Sequence, residues 1–332
     1  MKRFAALGVL LLVTAAAAAA HEPATLVVTS SNNPLGNELL VYDGAGALVQ
    51  TAATSGLGGV GGNAGGIGAS DDLVAVVNFK SQSVSVFDIL RSGVQLRQVI
   101  STLSPPVSVA FGKDHLYVLG TTSVESHRRH GHDVDTGADG SAALAIGDGS
   151  AAQVGLLADH LLITEKSNTV ETVSLKSGGV SGTAESVPLP AGSDTPLGLI
   201  TRGANGYVTI AHSDEVALVK GRTLLAVTGS GTQHAPCWLA LVGPYLYSSN
   251  SPSHSISRYV VTGSNVVLDA PVVATTAGAP TDIASSGHII AVLDGGTQAH
   301  LTQFAVDEDG NLQQLAVSVL NRGANGVAVI RR

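Results

Sequence analysis

The chain has 332 residues, 17 Lys plus Arg against 25 Asp plus Glu, and a net charge of −8, which becomes −10 once Lys2 and Arg3 leave with the leader described below. An electrostatic grip on nucleic acid or on an anionic membrane is therefore not expected. An apolar content of 44% with 13% charged residues lies far from disordered chains and allows a sizeable core, in two domains or in one large all-β domain.

Residues 1–20 read as an export signal, with Lys2 and Arg3 as the positive start, Phe4 to Val13 as the apolar stretch and Ala18 to Ala20 as the cleavage residues. Cleavage is expected before His21, which leaves residues 21–332 as a single domain in the periplasm or outside the cell. No later segment reaches the run of about 18 apolar residues that a bilayer span needs, so the mature chain is expected to be soluble. Cys237 is the only cysteine. It can form no internal disulfide and reads as a small core residue rather than a reactive thiol.

From Thr25 onward the chain consists of short β-branched runs broken by Gly, Asn, Asp and Ser, without sustained helical periodicity. Seven similar segments begin at Glu38, Ser83, Ser123, Thr169, Glu215, Ser255 and His300, with starts 45, 40, 46, 46, 40 and 45 residues apart. A second register agrees: Ile67, Val109, Val154, Leu199, Leu239, Ile283 and Val327 recur at 42, 45, 45, 40, 44 and 44 residues. Four of these aliphatics follow a proline by three residues (Pro106, Pro196, Pro236, Pro280), as suits the first residue of a strand. An apolar run lies between the registers in each unit, which gives four strands in about 44 residues, the size of a propeller blade. The pattern predicts an all-β, seven-bladed β-propeller. The run from Asn325 to Ile330 matches a first strand and the mature chain starts on a second strand, so both ends are expected in one blade, closing the ring.

Two connections depart from the repeat. Gly56 to Gly68 is glycine-rich but lacks the Lys-Ser/Thr tail of a phosphate loop and a following helix, and is expected to be a flexible turn. Ser126 to Gly140 holds His127, His130 and His132 with Asp133, Asp135 and Asp139. Its spacing fits a Ca2+ loop poorly, and Arg128 and Arg129 repel a cation, so it is expected to be a solvated connection without metal. No serine elbow, zinc-protease or haem motif is present, and no cofactor is expected.

The runs Gly36 to Tyr42, Asp139 to Ala143, Gly147 to Gly155, Thr164 to Thr169, Ala235 to Trp238 and Gly278 to Asp282 resemble exported bacterial members of the lactonase family of seven-bladed propellers. That family includes the propeller type of 6-phosphogluconolactonase and the fungal carboxymuconate-lactonizing cyclase. The resemblance covers residues 25–332. It implies a hydrolase or cyclase acting on a lactone or organic acid. The acidic charge and scarcity of Arg argue against a phosphorylated substrate.

Placing the repeat on propeller topology puts Lys80, Glu165, Lys166, His212, Asp214, His234, Asp294 and Arg322 on one face, with Trp238 and Asp282 near the inner strands. Lactone hydrolysis needs a base for water and a donor or cation for the oxyanion. His212 or His234 is the expected base, Lys166, Lys80 or Arg322 the electrostatic partner, and Glu165 or Asp282 the residue orienting it. Lys80, Trp238 and Asp282 are the expected substrate contacts. The alternative is a monomeric propeller without catalysis that binds a small molecule, glycan or protein on the same face.

Overall fold

The computed structural model describes residues 25–296 and 298–331. The leader and the cleavage before His21 lie outside them. The described residues form seven antiparallel sheets arranged as the blades of a propeller, without an α-helix; a 3-10 turn spans Ala211–Ser213. The inner strands are Asn325–Arg331 in blade 1, Ile67–Ala69 in blade 2, Pro106–Phe111 in blade 3, Ala151–Leu156 in blade 4, Pro196–Arg202 in blade 5, Pro236–Val242 in blade 6 and Ala279–Ser286 in blade 7. The seven aliphatics of the second register all lie on these strands. The segments of the first register are the third strands. Among the described residues no helix is long and apolar enough to cross a membrane.

The second strands are apolar runs because both of their faces pack on neighbouring blades: Leu73–Asn78 and His115–Gly120 are buried throughout. The outer strand of blade 1, Leu48–Ala53, is mostly exposed. The outer strand of blade 3 is split into Asp133–Val134 and Gly140–Ala143, and that of blade 4 into Gly179–Val180 and Glu185–Val187. The Ser126 to Gly140 connection therefore carries part of a sheet and is not wholly a solvated loop.

Closure occurs in blade 1, where Thr25–Ser30 pairs with Asn325–Arg331, from Thr25 opposite Arg331 to Thr29 opposite Val327. The hydroxyls of Thr29 and Ser30 donate to Gly326 O (2.7 Å) and Asn325 O (2.8 Å), fastening the junction.

Each inner strand turns one edge toward the channel, where its N–H groups lack a ladder partner. In blades 3, 4 and 7 the residue before the recurrent aliphatic supplies an acceptor for one of them. Ser108 Oγ accepts from Val154 N–H (3.3 Å), Gln153 Oε1 from Leu199 N–H (2.6 Å) and Asp282 Oδ2 from Val327 N–H (3.2 Å). In each case the side chain reaches the inner strand of the next blade.

Candidate functional site

The glycine-rich connection is packed into the centre of the ring rather than being a free turn. The inner strand of blade 2 has three residues where the others have six or more, because residues 60–66 bend into the channel. Asn63 Nδ2 donates to Val107 O of blade 3, Asn63 Oδ1 accepts from Asn325 Nδ2 of blade 1 (3.1 Å), and Asn63 O accepts from Trp238 Nε1 of blade 6 (3.2 Å). Ala64 N donates to Ala152 O of blade 4 (3.2 Å), and Gly65 N–H donates to the Asp282 carboxylate of blade 7. Three consecutive residues thus join five blades, with Asn63 and Ala64 buried. Asn32 fastens the near end of this plug, accepting from Gly59 N–H (2.7 Å) and Val60 N–H (3.0 Å). The one sign in the sequence that bears on it is the length of the connection, which does not reveal its partners.

Four of the expected site residues belong to this plug or its frame. Trp238 is buried and spends its indole N–H on Asn63. Asp282 is buried and accepts three backbone N–H groups, from Ile283, Val327 and Gly65. Burial outweighs those donors and pushes its carboxyl up to about 7. The Lys166 ammonium donates to Gly62 O (2.7 Å); burial lowers its pKa, against the pull of Asp148. Lys80 is exposed, and its stem passes Gly59.

The other four lie apart. Glu165 is wholly buried inside blade 4 against Glu171. His212 and His234 are exposed on the rim of blades 5 and 6. His212 Nδ1 meets Thr195 Oγ1 (2.9 Å), and His234 Nδ1 meets Asp214 Oδ2 (2.8 Å). Burial alone would raise the Asp214 carboxyl, but the Ala235 N–H and His234 hold it low. Arg322 lines a 250 Å3 cavity with Asn33 and Glu38, at the junction of blades 7 and 1. None of five cavities among the described residues is lined by any two of these eight side chains.

The histidines of the 126–140 connection are tied to acids. His132 Nδ1 meets Asp88 Oδ1 (2.8 Å), and Arg97 bridges Asp88 and Asp133 (2.8 Å each), which braces blade 2 on blade 3. Among the described residues no three His, Cys, Asp or Glu side chains are grouped to hold a metal. Cys237 lies buried on the inner strand of blade 6, and burial pushes its thiol up to about 12.

A more coherent arrangement lies off the axis, between blades 6 and 7. A 340 Å3 cavity there is lined by His254, Ala277, Gly278, Ala279, Gly295, Gly296, Gln298 and His300. Asp294, at the end of the second strand of blade 7, is 1% exposed. Its Oδ1 accepts from the His300 backbone N–H (3.0 Å) and meets His300 Nδ1 (2.9 Å), and its Oδ2 accepts from Gly278 N–H (3.1 Å). With Nδ1 turned to Asp294, Nε2 is the ring nitrogen that Asp294 does not engage, and His300 is among the residues lining the cavity. Gly278 must lack a side chain, since a Cβ would stand 2.3 Å from Gly295 O. In blades 2 and 6 the corresponding pairs are Asn78 with Ser83 and Asn250 with Ser255. Sequence reasoning placed Asp294 on this face and passed over His300, although it is the only histidine opening a third strand.

No protein-family model matches the chain, and no curated protein matches it. Solved structures do. One, from Bacteroides uniformis and provisionally described as a 6-phosphogluconolactonase, aligns with a TM-score of 0.68 at 16% identity, over 93% of this chain and 100% of its own. A protein from Lactobacillus plantarum aligns at 0.67 and 17% identity, over 93% and 99%. A second provisional 6-phosphogluconolactonase, from Bacteroides fragilis, aligns at 0.64 and 15%, over 92% and 100%. At that identity the likeness establishes the fold. The resemblance to lactonase-type propellers noted in the sequence is thus present in the architecture.

Proposed function

We propose that the protein is an exported propeller that opens or closes a small lactone in the cavity between blades 6 and 7, with His300 as the base. The observation carrying this reading is the buried Asp294 carboxyl group 2.9 Å from Nδ1 of His300, a residue that lines a 340 Å3 cavity and whose Nε2 Asp294 does not engage. In hydrolysis, Nε2 takes a proton from water as the water oxygen bonds to the lactone carbonyl carbon. The ring C–O bond then breaks, and the departing oxygen recovers the proton from the imidazolium, leaving a hydroxy acid. Two fold neighbours provisionally described as 6-phosphogluconolactonases support the reaction class. Export rests on the leader-like residues 1–20.

The plug supports a second reading, a non-catalytic propeller that binds its ligand on the rim, because the channel mouth is filled by the chain itself. One experiment separates the two. The mature protein and its His300→Gln variant are offered aldonolactones, aryl lactones and muconolactones in a pH-stat. The first reading expects turnover of at least one lactone and its reduction by about 10²- to 10⁴-fold in the variant, the usual contribution of a positioned base. Turnover at the buffer rate across all lactones supports the second.

A further inference from the structure

Glu165 and Glu171 lie together inside blade 4, one at the end of the second strand, the other on the third, and both are 0% exposed. Glu171 accepts the backbone N–H groups of Ala145 (3.1 Å) and Ile146 (3.2 Å), and Glu165 Oε2 accepts from Ser150 Oγ (3.2 Å). The connection of residues 144–150 from blade 3 to blade 4 is therefore pinned at both ends by carboxyl groups. Glu165 Oε1 finds no donor in its surroundings, and after burial the Glu171 carboxyl is the group that acts most strongly on Glu165. The other charges nearby are Asp148, which repels, and Lys166, whose ammonium is turned toward Gly62 O.

Two neighbouring buried carboxylates without a cation are strongly unfavourable away from water, and one proton between them removes the conflict. The repeat shows what belongs at this position. In blades 2 and 6 the residues equivalent to Glu165 are Asn78 and Asn250. Their amides donate to Ser85 Oγ (2.7 Å) and Ser257 Oγ (2.8 Å), the equivalents of Glu171. In those two blades a donor stands at this position, and a carboxyl group supplies one only when protonated.

We propose that Glu165 holds a proton and donates it through Oε1 to Glu171, so that the pair is a one-proton latch fastening the 144–150 connection. When the connection opens, Glu165 reaches water and releases its proton to solvent. Burial first, and the Glu171 charge second, push the Glu165 carboxyl from its ordinary 4.5 up to about 8. A raised acid stabilises the closed form fully below its solvated pKa and loses that contribution as pH rises through its closed-state value. Opening therefore becomes about tenfold easier per pH unit across the window from 4.5 to about 8, and changes little above it.

The test is hydrogen exchange of residues 144–150 in the whole protein, corrected for intrinsic exchange, in the wild type, Glu165→Gln and Glu171→Gln. Wild-type protection should fall about tenfold per unit from about pH 5.5 to pH 7.5 and level off above about pH 8. Glu165→Gln, which always carries an amide donor, should hold protection flat. Glu171→Gln should end the sloping window at lower pH, by removing the neighbouring charge, which keeps the test decisive if the first variant folds poorly. A flat wild-type profile, a Glu165→Gln profile with the wild-type slope, or protection that follows added Ca2+ instead of pH would overturn the latch.

Discussion

At the scale of single residues, buried polar side chains in this propeller serve the main chain. Asp282 reads in the sequence as a substrate contact near the channel, yet its oxygens are occupied by the N–H groups of Ile283, Val327 and Gly65. Asp282→Asn leaves one oxygen for these donors and turns an NH2 toward another. It should cost about 1–3 kcal/mol, the penalty of an unsatisfied buried donor, measured as a lowered urea midpoint. Asp282 should also make stability depend on pH. Its folded carboxyl is raised from 3.8 to about 7, so its contribution is full below pH 3.8 and is lost as pH rises through 7. The Asn variant should lack that component. The sequence could name Asp282 as a residue near the inner strands because the repeat fixes position. It could not reveal the side chain's use, because the partner N–H of Val327 lies 45 residues away in another blade.

At the scale of the element, the connection between blades 1 and 2 shows where composition misleads. Glycine permits a mobile turn, and it also permits main chain to pass where no side chain fits. Gly65 has φ +62°, and a Cβ there would stand 3.0 Å from Ser108 Oγ and 3.1 Å from Gln153 Nε2. Gly65→Ala should therefore destabilise by about 1–2 kcal/mol from the left-handed backbone alone. Gly61→Ala, with nothing within 4 Å of the added carbon, should be nearly neutral. Paired denaturation curves check the contrast. The third strands were legible because alternation and spacing are local properties of the chain. The plug was not, since its partners come from five blades and its sequence has no periodicity of its own. His300 with Asp294 stands between these cases: its register was plain, but the geometry of the dyad needed the side chains.

At the scale of the whole molecule, the sevenfold period and the shared first blade were both readable from 332 residues, because each blade repeats a signal that any one blade carries weakly. Which rim residues meet was not readable, since loops vary freely while strands keep their register. Closure makes a direct expectation. Deleting residues 325–332 removes the strand paired with Thr25–Ser30, together with the Asn325 amide that holds Asn63. The shortened protein should lose its sharp thermal transition and elute as aggregate in size-exclusion chromatography, because the inner edge of Thr25–Ser30 is then left unpaired. A monomer melting like the full chain would contradict the role given to that strand.

The pairing of Thr25–Ser30 with Asn325–Arg331 also sets a timetable. Blades 2 to 7 can be completed in order as the polypeptide emerges. The first blade begun is the last one finished, waiting on a partner synthesised some three hundred residues afterwards. Contacts of such long sequence separation form slowly. The nascent polypeptide therefore stays an open arc of finished blades until its final strand is available.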